Sequence, residues 1–84
     1  MINLITQSQA SYLLENYQNQ TVGDILYGKY IVQANGRFIA IDNINGQAFT
    51  EDFQTLSQAV NWLNERFEID DYLSGKINEN GEFY

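Results

Sequence analysis

Asn35-Gly36 lies between two runs of β-branched and aromatic residues, Lys29 to Ala34 and Arg37 to Asp42, and no other feature of this chain restricts its fold as much. A two-residue type I′ turn needs positive φ at both central positions, and Asn followed by Gly adopts that geometry at least cost. The register follows from the turn. Ala34 falls opposite Arg37, Val32 opposite Ile39 and Tyr30 opposite Ile41 on one face, with Ile31, Phe38 and Ala40 on the other. A second turn at Asn43-Ile44-Asn45-Gly46 leads to a third strand, roughly Gln47 to Asp52. Whether that loop holds two residues or four, parity puts Phe49 on the Phe38 face and Ala48 with Ile39 and Ile41. Both faces of this meander are partly apolar. Helices are expected to cover one, leaving the remainder for a partner or a second copy.

The flanking segments read as helices. Thr6 and Gln9 have the spacing of a capping box, and Ala10, Leu13, Leu14 and Tyr17 then recur at helical intervals, predicting a first helix over roughly 7 to 18. Thr21-x-x-Asp24 could cap a short turn carrying Ile25 and Leu26, ended at Gly28. Thr55 and Gln58 repeat the capping box, after which Leu56, Ala59, Val60, Leu63 and Phe67 form an apolar stripe. Glu68 to Ser74 places Ile69, Tyr72 and Leu73 at helical spacing, with Gly75 as a stop. The tail Lys76 to Tyr84, with Asn80-Gly81, is either a small hairpin or a frayed end. The fold expected is α+β: helix, three-stranded antiparallel meander, helix and short acidic helix, in a single domain over residues 1–84. No proline, repeat or low-complexity tract suggests a second domain.

Composition decides which chemistries remain. Cysteine and histidine are both absent, so Ser-His and Cys-His nucleophile pairs, thiolate metal sites and disulfides cannot form. An enzyme is not expected, nor is any cofactor or metal. With 44% apolar residues, including six Tyr, five Phe and one Trp, the protein has enough to build a core despite a net charge of -7. No secretory signal or bilayer-length apolar run occurs, so a soluble, intracellular protein is the default expectation.

The charge is lopsided. Residues 1–50 have a net charge of -1, whereas residues 51–84 carry eight carboxylates against Arg66 and Lys76, for a net of -6. A field of that sign repels nucleic acid and attracts basic protein surfaces. Lys29, Arg37, Arg66 and Lys76 are scattered and form no basic stripe, so direct nucleic-acid binding is not expected. Glu65, Glu68, Asp70 and Asp71 lie within seven residues and are opposed only by Arg66, a density that costs stability unless water or a cationic partner matches it. Asp70 and Asp71 also read as first-turn acids of the short third helix. Glu51-Asp52 reads as a pair placed at the dipole of the second helix, or as a second acidic contact. In an extended strand the two would point to opposite faces, which argues against shared hydrolytic chemistry.

Other motifs have plain readings. Asn43, Asn45, Gly46 and Asp52 match four positions of a calcium loop, but Ile41 stands where a first ligand is required, so a turn between strands is preferred. Trp62 falls off the cleanest stripe of its helix and reads as a core-edge residue. Tyr72, beside the acids, is a candidate for the partner-binding set.

The order helix, three antiparallel strands, helix matches the double-stranded-RNA-binding fold, whose charge has the opposite sign. The segment Val60-Asn61-Trp62-Leu63-Asn64-Glu65-Arg66-Phe67-Glu68-Ile69-Asp70-Asp71-Tyr72 resembles the Trp-containing helix and acidic, tyrosine-bearing turn of phage-encoded anti-CRISPR proteins that inhibit type II RNA-guided nucleases. The resemblance implies a nucleic-acid mimic acting in the cytoplasm of a bacterial host. Glu68, Asp70 and Asp71 would stand in for phosphates or base edges in the groove where the nuclease reads its short duplex motif. The sequence departs from that family at the hairpin tip, where Asn35-Gly36-Arg37 replaces an acidic residue. The partner-binding set expected is therefore Glu65, Glu68, Asp70, Asp71, Tyr72, Glu51 and Asp52. The alternative is an interaction or regulatory module that pairs, with a partner or as a homodimer, through the face bearing Ile31, Phe38 and Phe49.

Overall fold

A computed structural model describes residues 2–16 and 27–84. The fold is α+β, with a four-stranded mixed sheet and three helices among the described residues. The elements run β1 (Ile2–Ile5), α1 (Gln7–Asn16), β2 (Gly28–Ala34), β3 (Arg37–Asn43), β4 (Phe49–Phe53), α2 (Leu56–Leu63) and α3 (Ile69–Leu73). The strand order is β1-β2-β3-β4.

The hairpin forms in the expected register, with Ala34 opposite Arg37, Val32 opposite Ile39 and Tyr30 opposite Ile41. Asn35 and Gly36 take φ of 55° and 74°, the pair of positive values a type I′ turn requires. The expected parity for Ala48 and Phe49 also holds: Ala48 packs with Ile39 and Ile41, and Phe49 pairs with Asp42 on the Phe38 side. The third meander strand is shifted, starting at Phe49 rather than Gln47 and ending at Phe53. Asn43 accounts for the longer loop, because its buried Oδ1 accepts the Ala48 N–H at 3.0 Å and holds the backbone away from the ladder.

The three-stranded antiparallel meander is not the whole sheet. β1 adds a fourth strand, paired in parallel with β2 from Ile2 opposite Lys29 to Ile5 opposite Val32. Parallel pairing needs a long crossover and leaves no turn signal beside the strand, so Ile2 to Ile5 carries no local mark of it.

Helices cover both faces. Ala10 and Leu13 of α1 pack on Tyr30, Val32 and Ile41. On the other face Ala59 and Leu63 of α2, together with Phe67 and Ile77, close over Ile31, Ala40 and Phe53. Phe38 is packed against that second cluster too. The face expected to remain open is therefore filled, and of Ile31, Phe38 and Phe49 only Phe49 stays exposed, at 58%.

Both capping boxes are present. Gln9 N–H donates to Thr6 Oγ1 at 3.1 Å while Thr6 N–H donates to Gln9 Oε1, and Thr55 with Gln58 does the same for α2. α1 is described to Asn16; Tyr17, residue 18 and the Thr21 to Asp24 turn with Ile25 and Leu26 lie outside the described residues. α2 stops at Leu63 instead of running on to Phe67. Glu65 takes φ 61°, its N–H donates to the Trp62 carbonyl, and Arg66 N–H donates to the Asn61 carbonyl, which is the bonding of a Schellman end. Phe67 still reaches the core, from beyond the helix. α3 closes the same way with Gly75 at φ 80°, as expected for its glycine stop.

The tail is a docked hairpin. Ile77 and Phe83 form an antiparallel bridge, and Ile77 is buried in the larger cluster. Thr55, Gln58 and Asn61, one turn apart along α2, donate from their side chains to the carbonyls of Glu79, Asn78, Asn80 and Gly81 at 2.7–3.2 Å. Gly81 fits this seat because it lacks a side chain: an added Cβ would stand 2.6 Å from the Ser57 carbonyl oxygen.

Candidate functional site

The acidic segment is the turn that joins α2 to α3, and local backbone chemistry positions each carboxylate. Glu65 occupies the left-handed position that ends α2, and its side chain is exposed. Glu68 is the N-cap of α3 and Asp70 lies in the first turn, both exposed. Asp71, half-buried, accepts the Glu68 N–H on Oδ2 at 3.0 Å, so one of its oxygens serves the helix start. Asp70 and Asp71 are first-turn acids, as the sequence indicates. Three of the four carboxylates face water along one continuous turn.

Tyr72, expected in the partner-binding set, is tied into the fold. Its ring stacks edge-on against Phe53, with centroids 4.8 Å apart, and its hydroxyl oxygen accepts the Gln54 N–H at 3.3 Å. These contacts anchor α3 to the sheet. Trp62 packs on the same Phe53 at 5.7 Å and is a core-edge residue, as its place on the helix suggests. Phe53, fully buried beneath Trp62, Phe67 and Tyr72, organises the whole platform under the acidic turn. Sequence reasoning misses it, although a signal exists: Phe53 lies two residues beyond Glu51 on the face that Phe38 marks as apolar.

Glu51 and Asp52 are separated by the pleat. Both lie within β4, three or more residues short of α2, whose first turn holds no acid, so the dipole reading does not apply. Asp52 shares a face with Ile39 and forms an ion pair with Arg37, Nε to Oδ2 at 3.0 Å. Hydrogen bonding to Asp52, and then to Tyr72, raises the Arg37 guanidinium above its usual range. Glu51 points to the other side, the side of Phe53 and α3, and is half-buried. The fold thus puts Glu51 on the side of the acidic turn and Asp52, paired with Arg37, on the opposite face.

The cations divide in the same way. Lys29 Nζ donates to the Leu63 carbonyl at the C-terminus of α2, where a positive charge is favoured. With Arg37 held by Asp52, the cations left exposed among the described residues are Arg66 and Lys76. Among those residues no three of His, Cys, Asp and Glu come together to hold a metal ion, and no helix is long and apolar enough to cross a membrane. Comparison of the sequence and fold with protein-family models, with curated proteins and with solved structures gives no match.

Proposed function

We propose that this is a non-enzymatic binding protein that covers a cationic surface on a nucleic-acid-handling protein, with Glu65, Glu68 and Asp70 as principal contacts and Asp71 and Glu51 flanking them. The observation that carries this reading is the division of charge: Lys29 and Arg37 are bonded to groups of the fold itself, while Glu65, Glu68 and Asp70 face solvent. Exposed like charges held this close repel one another, and a partner rich in Arg and Lys relieves that repulsion on binding. A rigid platform also helps, because Phe53 and Tyr72 fix the turn before any partner arrives.

The more specific form of the proposal follows the resemblance of the segment 60–72 to anti-CRISPR inhibitors. The partner is then the duplex-reading groove of a type II RNA-guided nuclease, and the protein competes with target DNA for it. Fluorescence anisotropy of labelled target duplex, with the guide-loaded nuclease and excess of this protein, tests it directly. Displacement that weakens as salt rises is expected. Unchanged DNA binding across several nuclease orthologues rules out the nuclease version. Capture of cationic proteins that is insensitive to a combined Glu68→Gln and Asp70→Asn change rules out the acidic turn altogether.

A further inference from the structure

Three Asn-Gly steps occur in the sequence, at 35–36, 45–46 and 80–81. Such a step can rearrange, because the glycine nitrogen can attack the asparagine Cγ with no Cβ in the way. Local sequence makes the three alike, whereas the fold makes them different.

At Asn80-Gly81 both residues are held. Gly81 N–H donates to the Asn78 carbonyl at 3.0 Å, Asn80 N–H donates to Asn78 Oδ1 at 2.9 Å, and Asn61 Nδ2 binds the carbonyls of both residues. Gly81 is also buried against Ser57, so the backbone rotation needed for attack requires the tail to undock. At Asn45-Gly46 the glycine N–H makes one long bond, to the Asn43 carbonyl at 3.4 Å. Asn35-Gly36 is unlike either. In a two-residue turn the closing bonds belong to the flanking pair, here Ala34 and Arg37, so the Gly36 N–H points away from the ladder. Both turn residues are exposed, and nothing lies within 4 Å of where a Gly36 Cβ would be.

We infer that Asn35 is a site of spontaneous covalent modification built into the hairpin tip. Gly36 N gives up its proton to water and bonds to Asn35 Cγ, the Cγ–Nδ2 bond breaks, and the amide nitrogen takes up a proton from water and leaves as ammonia, giving a five-membered succinimide. Water then opens the ring at either carbonyl, yielding aspartate or isoaspartate. Either product places a new carboxylate two residues from Arg37, which already binds Asp52. Isoaspartate also lengthens the backbone of a turn whose two-residue length sets the register of the central strand pair.

Peptide mapping by mass spectrometry tests this on the intact 84-residue chain, incubated in warm, mildly alkaline buffer with and without urea. In the folded protein Asn35 should convert at least about tenfold faster than Asn80, which reacts only through local opening, with Asn45 between them. In urea the three rates should converge. Equal rates at Asn35 and Asn80 in the folded protein overturn the proposal, as does an Asn35 that stays intact while the unfolded protein converts.

Discussion

Arg37 and Asp52 meet diagonally across β3 and β4, the guanidinium Nε 3.0 Å from Oδ2, although the residue paired directly with Asp52 is Ile39. The contact neutralises one acid of the C-terminal half on the face opposite Glu51. Asp52→Asn is therefore expected to leave partner capture unchanged, whereas Glu68→Gln with Asp70→Asn weakens it, mainly by slowing association and most at low salt. Surface plasmon resonance over a salt series separates the two.

Asp71 combines a structural and an electrostatic role, and two substitutions divide them. Asp71→Asn keeps an oxygen for the Glu68 N–H and removes the charge, so stability should hold while partner association slows. Asp71→Ala removes both and should cost about 1 kcal/mol of stability, the usual loss at a helix cap. Urea unfolding followed by Trp62 fluorescence reads this, since the indole packs on Phe53 in the core.

Glu65 holds a left-handed conformation, at φ 61°, that a glycine would adopt without strain. Glu65→Gly should raise the urea midpoint, with a gain of about 1 kcal/mol, and should lower partner affinity because a carboxylate is lost. A midpoint that falls instead would mean the Glu65 side chain stabilises the fold in a way its exposure does not suggest.

Gly75 and Gly81 have similar φ, 80° and 77°, but different surroundings. Nothing stands within 4 Å of a Cβ at Gly75, so Gly75→Ala should cost only backbone strain of about 1 kcal/mol. Gly81→Ala drives a methyl into the Ser57 carbonyl and should cost about 2–3 kcal/mol or detach the tail. Amide hydrogen exchange distinguishes these outcomes, because detachment exposes the amides of Asn78, Gly81 and Tyr84, which are bonded within the hairpin.

Tyr30 supplies the pH dependence. Burial raises its phenol above the ordinary value of 10.0, so the folded state holds the proton more tightly than the unfolded state does. Its contribution is fully present below pH 10.0 and is lost as pH rises through the higher folded value. Tyr30→Phe should flatten the fall of the thermal midpoint above that pH, at the loss of the bond its hydroxyl donates to the Tyr27 carbonyl.

What is legible in the sequence is what local chemistry dictates. Asn35-Gly36 specifies the strand pairing residue by residue, and Thr6 with Gln9 and Thr55 with Gln58 mark two helix starts, since caps and turns are satisfied by neighbours three residues away. β1 is not legible, because its partner lies more than twenty residues on and a four-residue strand has too little period to show. The end of α2 is hidden because Phe67 continues the apolar stripe, and the left-handed turn at Glu65 lacks the glycine that would announce it. In the candidate site, the acidic turn is visible as composition, but its division is not. Pairing of Asp52 with Arg37, and packing of the Tyr72 ring on Phe53, depend on strand and helix placement that no short window contains.

The ladder of Thr55, Gln58 and Asn61 grips the last residues by their carbonyl oxygens, which every amino acid carries. Apart from Ile77, Gly81 and Asn78, whose Oδ1 accepts the N–H groups of Asn80 and Glu82, the identity of the side chains in that stretch is therefore nearly free to drift. Exposed positions such as Glu79, Asn80 and Glu82 can be rewritten while the strip keeps its seat. The C-terminal hairpin is in effect an interchangeable display surface, on which charge or a graft can be varied without refolding the molecule beneath.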